Sequence, residues 1–269
     1  MAQRKNLSSD IAWATPEAIF VKGFDFCADL LGKLSLGDMA FLELTDRLPT
    51  PQESQVFNAM ALTLVEHGMT SSAIATRMTI AGAPEAMQAA VAAGLCGLGS
   101  VFVGSMETAA RVLQKAVPLE MSAAERKACD VRNIASKIVD EHIARKAAIS
   151  GIGHHFHKPI DPRTPVLFRI AAENGLSGIY VALMREIATV AETRMNKALP
   201  VNATGAIAAL ASELGMPWNI VRGIGVMSRA IGLVGHIREE LKNPLAREIK
   251  TRTEEEASSH FDKKTKSGG

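Results

Sequence analysis

The chain has 269 residues, of which 47% are hydrophobic and only 4% aromatic, and its formal net charge is +2. A chain of this length can bury the core of one large or two modest domains, which excludes a small scaffold that depends on disulfides. Acidic and basic residues are interspersed and form no basic stripe, so nucleic acid is not expected as a partner.

The cysteines and the N-terminal segment favour a cytoplasmic location. Cys27, Cys96 and Cys129 are far apart, odd in number and outside any CxxC motif, which is typical of a reducing compartment. We expect all three to be small core residues. The first 20 residues include basic side chains but no apolar segment of the secretory type.

Proline and glycine positions predict a series of helices in the first half of the chain. These cover residues from about 36 to the prolines at 49 and 51, then 53–67, 71–80, 84–98 and 106–116. A long charged helix is predicted over 122–146. The uncharged stretch 86–104 approaches membrane-spanning length, but its four glycines and missing aromatic anchors favour a buried helix at a domain or subunit interface. We therefore expect no membrane contact.

The second half continues in the same way, and the pattern as a whole predicts an all-α fold. Helices are expected over 164–174, 178–197, 205–214 and from Pro217 to 241, followed by a densely charged and mobile tail over 250–269. Two polar connectors interrupt the helices, "SGIGHHFHKPIDPR" (150–163) and "ALPVNATG" (198–205). Connectors on a rigid scaffold are where functional sites tend to be built.

The first connector holds three of the seven histidines, His154, His155 and His157. A metal cluster is one interpretation, and a histidine that satisfies loop carbonyls is another. Metal sites usually recruit separated acidic or cysteine ligands as well, so we expect no metal here.

Five segments of the chain, in order, resemble the citrate synthase superfamily, and more closely its citryl-CoA lyase branch, which includes the lyase module of ATP-citrate lyase. They are "LTDRLPT" (44–50), "EHGMTSSAIATR" (66–77), "GIGHHFHKPIDPR" (151–163), "VNATG" (201–205) and "VMSRAIGLVGHIREE" (226–240). The resemblance implies a citrate synthase-like fold with a large helical domain and a smaller inserted helical domain. The implied limits are 1–105 and 207–249 for the large domain and 106–206 for the small one, with 250–269 as the tail.

The resemblance also implies a carbon–carbon lyase that acts on a CoA thioester. Such an enzyme would cleave citryl-CoA, or a related 3-hydroxy-3-carboxyacyl-CoA, to acetyl-CoA and a 2-oxo acid such as oxaloacetate. In the cleavage direction a base takes the tertiary hydroxyl proton, the bond breaks, and donors at the thioester oxygen stabilise the acetyl-CoA enolate. Arginines hold the carboxylates by bidentate pairing. The implied ligands are a CoA thioester and a di- or tricarboxylate, bound by a homodimer or a dimer of dimers.

Site roles follow from the resemblance, residue by residue. His154 would serve the hydroxyl or ketone oxygen of the substrate, and His67 a carboxylate or thioester oxygen. The substrate-binding positions are Arg163, Arg229, Arg77 and Arg247, the last as a contribution to a neighbouring subunit. The positions at the CoA side are Gly151, Gly153, Lys158 and Lys197. For Arg163 and Arg229 a structural ion pair is the alternative, and His236 in the last motif is expected to be a core histidine.

Three positions depart from the synthase pattern. Phe102 stands where synthases carry an active-site histidine, and the lyase module of ATP-citrate lyase also carries a phenylalanine there. His155 replaces the arginine after the loop histidine. Thr204 occupies the place of the catalytic aspartate, and a threonine cannot act as a carboxylate base at neutral pH. Thr204 is either a neutral donor in the pocket or a sign of lost activity. The alternative function is therefore a CoA- or carboxylate-binding homologue with lost or altered catalysis.

Overall fold

A short antiparallel sheet precedes the helices. The computed structural model describes residues 7–154 and 156–266. Strands β1 (Ala12–Ala14), β2 (Ile19–Val21) and β3 (Phe24–Asp25) pair in the order β1-β2-β3, and a single π-helical turn, Phe26–Leu30, follows them. The sequence did not predict this sheet. It is small in an otherwise helical protein, and the expected mainly helical, citrate synthase-like fold is confirmed.

Twelve α-helices lie within the described residues. They are α1 (Leu36–Thr45), α2 (Pro51–Val65), α3 (Ser71–Gly82), α4 (Met87–Cys96), α5 (Gly104–Ala116), α6 (Ala123–Lys127), α7 (Val131–Ala144), α8 (Arg163–Glu173), α9 (Ile179–Met195), α10 (Ala203–Glu213), α11 (Val221–Lys242) and α12 (Ala246–Lys266). A 3₁₀ turn, Trp218–Ile220, precedes α11. Most of these helices lie within a few residues of the predicted limits.

Capping side chains set several of the helix starts. Ser35 accepts a hydrogen bond from the Asp38 backbone N–H at 3.1 Å, and the Asp38 carboxylate accepts from the Ser35 N–H at 3.2 Å. Thr50 and Glu53 form the same reciprocal pair at the start of α2. Such capping boxes satisfy backbone donors that the first turn of a helix leaves unpaired. Pro51, predicted as a stop, is thus also the first residue of α2.

The long helix predicted over 122–146 is divided in two. The first part, α6, ends at Lys127, and α7 begins at Val131 because Asp130 accepts a hydrogen bond from the Asn133 N–H at 3.0 Å. Asp is among the preferred N-cap residues, and a cap in the middle of an amphipathic pattern starts a new helix. The prediction of one continuous helix was wrong for this reason.

The uncharged stretch 86–104 contains only the ten residues of α4, which ends before Gly97. Among the described helices, one continuous segment, Trp218–Lys242, is long and apolar enough to cross a membrane by length and composition alone. Half of its most apolar window is buried inside the structure, which is also typical of a core helix.

The three cysteines do not lie in the core, so that prediction was wrong. Cys27 and Cys96 are exposed, and Cys129 is half-buried. Cys27 lies in the π-helical turn near the surface, and Cys96 ends α4 on its outer side. A small side chain next to an element end is as easily accommodated at the surface as in a core, and the sequence pattern does not distinguish the two.

The chain divides into two compact units. The first unit comprises Met1–Thr63 and Ser105–Arg222, and the second comprises Leu64–Gly104 and Gly223–Gly269. The predicted small domain, 106–206, lies wholly within the first unit, which also includes residues 1–63. In the first unit α9 packs against α7 and α10. In the second unit α3 packs against α4 and α12, and Ile80, Ala90 and Ile237 form a buried cluster.

The charged segment that was predicted as a mobile tail is helical over most of its length. It forms α12, which packs on α3 in the second unit. Ion pairs between Arg252 and Glu248 and between Lys250 and Glu254 have the i,i+4 spacing that stabilises a helix. Residues 267–269 lie outside the described part of the chain.

Candidate functional site

The two polar connectors predicted from the sequence lie together in the first unit. We call residues 150–163 the histidine loop. The Gly153 N–H donates to the Pro200 carbonyl oxygen at 2.7 Å, and the Asn202 N–H donates to the Gly151 carbonyl oxygen at 3.0 Å. The Asn202 side-chain amide donates to the Gly153 carbonyl oxygen at 2.6 Å. The histidine loop is therefore held by backbone and amide bonds directly ahead of α10.

Two glycines permit the close approach of the histidine loop to α10. A Cβ atom at Gly205 would lie 2.1 Å from the Gly151 carbonyl oxygen, a distance that real Cβ atoms do not adopt. Gly151 itself has a φ angle of +95°, which L side chains rarely adopt. Both positions were assigned by resemblance or quoted in its motifs, and the structure gives them a steric reason.

His154 has one ring nitrogen committed to the histidine loop. Its Nδ1 accepts hydrogen bonds from the N–H groups of Phe156 at 3.1 Å and His157 at 2.9 Å. A nitrogen that accepts two N–H donors carries no proton, so the neutral ring is protonated at Nε2. The His157 ring lies 4.6 Å from the His154 ring. His155, the third histidine of the sequence prediction, lies outside the described residues.

Arg163, predicted to bind a substrate carboxylate, is paired with a carboxylate of its own loop. Its Nε and Nη2 donate to Asp161 at 2.9 Å each, and Asp161 also accepts the Ala203 N–H at 2.9 Å. Asp161 is fully buried. Burial opposes ionisation, but the bonds from Arg163 and from the Ala203 N–H outweigh it and lower the pKa of Asp161 to about 2. The structural ion pair noted as the alternative for Arg163 is thus present.

Thr204 lies in the first turn of α10, next to the helix cap. Asn202 caps this helix by accepting the Gly205 N–H at 3.1 Å, and the Thr204 hydroxyl donates to the same Asn202 oxygen at 2.8 Å. The hydroxyl proton of Thr204 is thereby directed into the cap. This arrangement explains why a threonine is compatible with the position, and it leaves no carboxylate there.

Three of the predicted cationic positions lie at the surface. Lys158 in the histidine loop and Lys197 after α9 are exposed in the first unit, and Arg247 in α12 is exposed in the second. Phe102, at the position of a synthase histidine, is 54% exposed in the second unit. Mobile exposed lysines can meet phosphate groups without a fixed geometry.

Arg77 in the second unit is fully buried and bound to one helix. Its Nε donates to His236 Nδ1 at 3.1 Å, its Nη1 donates to Glu240 at 2.9 Å, and its Nη2 pairs with Glu239. All three nitrogens therefore bind groups on α11. The resemblance assigned Arg77 to substrate, whereas its geometry is that of a structural crosslink between α3 and α11. His236 is buried at 8% exposure, in agreement with the expected core histidine.

His67 lies in an exposed turn between α2 and α3, and Glu66 organises the backbone of this turn. One carboxylate oxygen of Glu66 accepts the His67 N–H at 2.8 Å and the Gly68 N–H at 2.7 Å, and lies 3.1 Å from His236 Nε2. Burial raises the pKa of Glu66, but the bonds from the two N–H groups and from His236 outweigh it and leave the pKa below its ordinary value.

Arg229 is also buried in the second unit, but unlike Arg77 it has nitrogens without a hydrogen-bond partner in the described part of the chain. It is 8% exposed, and its Nε and Nη1 have no hydrogen-bond partner among the described residues. Burial lowers the pKa of its guanidinium, and the charge of Glu66 only partly opposes this effect. A buried guanidinium with unmatched donors is costly unless an anion completes it.

Sequence reasoning assigned no role to Asp161, Asn202 or Glu66. Asp161 and Asn202 lie inside quoted motifs, and an asparagine directly before a helix-forming run is an N-cap signal that could have been used. Glu66 carries no comparable signal, because its role depends on a turn that only the folded chain forms.

The comparisons with known proteins identify the family of this chain. The family model described as "Citrate synthase, C-terminal domain" matches residues 27–252. The chain belongs to the citrate synthase family. Among curated relatives, a protein named putative citrate synthase 2 of Mycobacterium tuberculosis is 27% identical over 197 residues, which cover 71% of this chain and 49% of that one. This family member thus spans about half the length of the curated relatives it matches.

Solved structures of the family extend the comparison to lyases. The structure of citryl-CoA lyase from Hydrogenobacter thermophilus is similar with a TM-score of 0.79 and 32% identity, over 89% of this chain and 88% of that one. An ATP citrate lyase of Methanosaeta concilii in complex with (3S)-citryl-CoA has a TM-score of 0.70 at 18% identity, over 90% of this chain and 40% of that one. The second likeness concerns the fold alone. The expected resemblance to the citryl-CoA lyase branch is confirmed.

Proposed function

We propose that this protein is a citryl-CoA lyase-like enzyme. It would cleave citryl-CoA, or a related 3-hydroxy-3-carboxyacyl-CoA, to acetyl-CoA and a 2-oxo acid such as oxaloacetate. The observation that carries the proposal is the 32% identity to the Hydrogenobacter thermophilus citryl-CoA lyase over nearly the full length of both chains. The synthase relatives, by comparison, are covered only to about half.

In this proposal His154 acts as a hydrogen-bond donor. Because its Nδ1 accepts two backbone N–H groups, the proton of its neutral ring is on Nε2, and in this proposal Nε2–H donates to a substrate oxygen. In the cleavage direction this donor would bind the tertiary hydroxyl oxygen and stabilise the negative charge that develops there as the hydroxyl proton passes to water. The C–C bond then breaks, which leaves a ketone, and its electron pair forms the acetyl-CoA enolate. The tautomer argues against His154 Nε2 as the base for the hydroxyl proton.

Arg229 would bind a substrate carboxylate. Its unmatched nitrogens, Nε and Nη1, lie on different sides of the guanidinium, so each would donate a separate charge-assisted hydrogen bond to an oxygen of the anion. Burial strengthens such a pair, because little water competes for it. Arg163 would contribute less, since two of its nitrogens already bind Asp161.

Thr204 removes the carboxylate that would move the methyl proton, and by microscopic reversibility this loss slows that step in both directions. Forming citryl-CoA from acetyl-CoA requires removal of a methyl proton, and general-base help is worth about 10²- to 10⁴-fold. A threonine whose hydroxyl donates to Asn202 gives no such help. In the cleavage direction the enolate is protonated at the same carbon, and in this proposal water supplies that proton.

The decisive experiment incubates the purified protein with (3S)-citryl-CoA and measures acetyl-CoA and oxaloacetate, the latter through NADH consumption by malate dehydrogenase. We expect stoichiometric release of both products. If neither product forms from citryl-CoA or from a panel of 3-hydroxy-3-carboxyacyl-CoA thioesters, the lyase assignment is wrong.

The substitution Arg229→Met separates binding from stability. Removing a buried and unpartnered charge should leave the melting temperature of the ligand-free protein unchanged or raise it. The same change should weaken binding of citrate or citryl-CoA by about 10- to 100-fold, because a hydrogen bond to a charged group is worth about 1.5 to 3 kcal/mol. Arg169→Met, at an exposed arginine of α8, is the matched control. A large loss of stability in the ligand-free state would instead make Arg229 a structural residue.

A second function is favoured by Thr204 itself. With no carboxylate at this position, the protein could bind a CoA thioester or a carboxylate without turning it over, as a regulatory or pairing subunit. Thermal-shift measurements with CoA, acetyl-CoA, oxaloacetate and citrate distinguish the two functions. Stabilisation by these ligands together with no product release from citryl-CoA would favour the binding function.

We also propose a homodimer or a dimer of dimers located in the cytoplasm. The outer side of α4 carries exposed small or apolar residues, namely Met87, Ala89, Ala92 and Cys96. Small residues permit close helix approach, which suits a helical dimer contact. Light scattering of the purified protein tests the oligomeric state, and imaging of a tagged full chain tests the location.

A further inference from the structure

A series of hydrogen bonds in the second unit runs from buried Arg77 through His236 and Glu66 to the backbone of the His67 turn. We call this series the relay. Arg77 Nε donates to His236 Nδ1 at 3.1 Å, and His236 Nε2 lies 3.1 Å from Glu66 Oε1. The same oxygen accepts the N–H groups of His67 and Gly68. Three donors thus converge on one carboxylate oxygen, and each step has hydrogen-bond geometry.

The donor-to-acceptor direction of the relay follows from the chemistry of Arg77. A guanidinium has donors only, so the His236 nitrogen that meets Arg77 must be the unprotonated acceptor. The proton of the neutral ring is then on Nε2, where it is donated to Glu66. Arg77 in this way selects the histidine tautomer that Glu66 requires, as outer partners do for histidines at other functional sites.

Buried contacts in the second unit hold the relay in place. Arg77 is fully buried and also pairs with Glu240, which is 4% exposed. A Cβ atom at Gly232 would lie 2.0 Å from the Val65 carbonyl oxygen, so the end of α2 touches the backbone of α11 directly. The turn that carries His67 therefore rests on a rigid and buried base.

The relay also borders a pocket. A pocket of about 480 Å³ in the second unit is lined by Glu66, Gly68 and His236, with Arg238 and Lys242 among the other lining residues. The relay is thus covered by protein at its Arg77 end and meets a pocket at its Glu66 end. A change at the buried end would be transmitted to residues that a ligand can reach.

We infer that Arg77, His236 and Glu66 are positioning residues that fix the backbone of the His67 turn, and so the place from which His67 acts. This inference rests on the proposed function for its catalytic consequence. It replaces the direct substrate contact that the resemblance assigned to Arg77. In its structural part, the ordering of the His67 and Gly68 amides, it stands independently of any activity.

Two variants break the relay at different points. His236→Leu removes both ring nitrogens at similar volume, and Glu66→Ala removes the acceptor at a side chain that is 48% exposed and can be lost without unfolding. His236→Gln is the conservative variant, because its amide oxygen can accept from Arg77 while its NH₂ donates to Glu66. Glu248→Gln, in the exposed i,i+4 pair with Arg252 on α12, is the silent control.

The first measurement is hydrogen exchange of the amides in the turn 66–70 of the full chain. We expect the His67 and Gly68 amides to exchange about tenfold faster or more in His236→Leu and Glu66→Ala, because hydrogen bonds to a charged group are lost or loosened. His236→Gln should restore most of the protection, and Glu248→Gln should leave it unchanged. Unchanged exchange in both relay variants would overturn the inference, whatever the activity of the protein.

The second measurement is citryl-CoA cleavage. In the two relay variants kcat should fall by about 10- to 100-fold with little change in KM, since small displacements of a catalytic group are costly. His236→Gln should recover most of kcat. Faster exchange with unchanged kcat would overturn the positioning role. If the wild-type protein shows no cleavage at all, the proposed function fails, while the exchange measurement still decides whether the relay orders the turn.

Discussion

Asp161 joins the histidine loop to α10, and replacing it by asparagine tests this connection most directly. The carboxylate is fully buried, binds Arg163 through two nitrogens and accepts the Ala203 N–H. Asparagine keeps an oxygen for the Ala203 N–H but loses the charge that Arg163 requires. The change therefore isolates the ionic part of the connection.

The magnitude follows from the pKa of Asp161, which falls from 3.8 to about 2. Each unit of such a difference is about 1.4 kcal/mol, so the ionised form contributes about 2 to 2.5 kcal/mol to folding at neutral pH. Because the folded-state pKa is lowered, this stability is fully present above pH 3.8 and is lost as the pH falls through about 2. Asp161→Asn should lower the melting temperature at pH 7 by about 5 °C or more.

The assay is thermal and urea unfolding of wild type and Asp161→Asn between pH 7 and pH 2. Glu173→Gln is the matched control. It removes the charge from an ion pair with Arg169 in α8, the helix that Arg163 begins, but both side chains of that pair are more than half exposed. Such a surface pair is worth about 0 to 1 kcal/mol. The difference between wild type and Asp161→Asn should shrink between pH 4 and pH 2. Equal losses in the two variants, or a difference that does not change with acid, would refute the reasoning.

Two further changes test the histidine loop. Gly205→Ala places a Cβ atom 2.1 Å from the Gly151 carbonyl oxygen, so we expect a loss of about 1 to 3 kcal/mol in urea unfolding. Unchanged stability would mean that the loop can move aside freely. Thr204→Asp introduces the missing carboxylate and should accelerate exchange of the acetyl-CoA methyl protons, measured by NMR in D₂O, by about 10²-fold or more. No acceleration would show that Thr204 does not occupy the position of the catalytic base.

The helices that the sequence predicted best are those whose ends carry local signals. Prolines, glycines and capping residues act within four residues of where they stand, so α1 to α5 begin and end close to the expected positions. The break between α6 and α7 has the same origin, since the Asp130 cap is a local signal that the amphipathic pattern obscured.

Two further errors, the sheet and α12, concern features that depend at least in part on contacts between segments far apart in the sequence. The sheet β1 to β3 has strands of two or three residues, too short for an alternation pattern, and it is held by pairing such as Trp13 opposite Phe20. The segment of α12 was predicted from its charge to lack structure. Its i,i+4 ion pairs and its packing on α3 favour a helix instead.

The arginines show most clearly what a motif does and does not establish. All four were assigned to substrate by resemblance, yet their surroundings differ. Arg163 binds Asp161, Arg77 binds three groups on α11, and Arg247 is exposed. The partners of Arg163 and Arg77 stand inside the quoted motifs, but the motifs do not show which of these residues pair in the folded chain.

The hydrogen-bond partners of the guanidinium nitrogens distinguish the four arginines, which the sequence does not. A guanidinium whose nitrogens already meet buried carboxylates gains little from a ligand, and an exposed one pairs only weakly with it. Among the described residues of the second unit, Arg229 is the arginine that is nine-tenths buried and still has unmatched nitrogens. The charge of Glu66 offsets the cost of burying it in part, and we expect a bound anion to offset the rest. Arg229 is therefore the position at which ligand binding and stability should change in opposite directions.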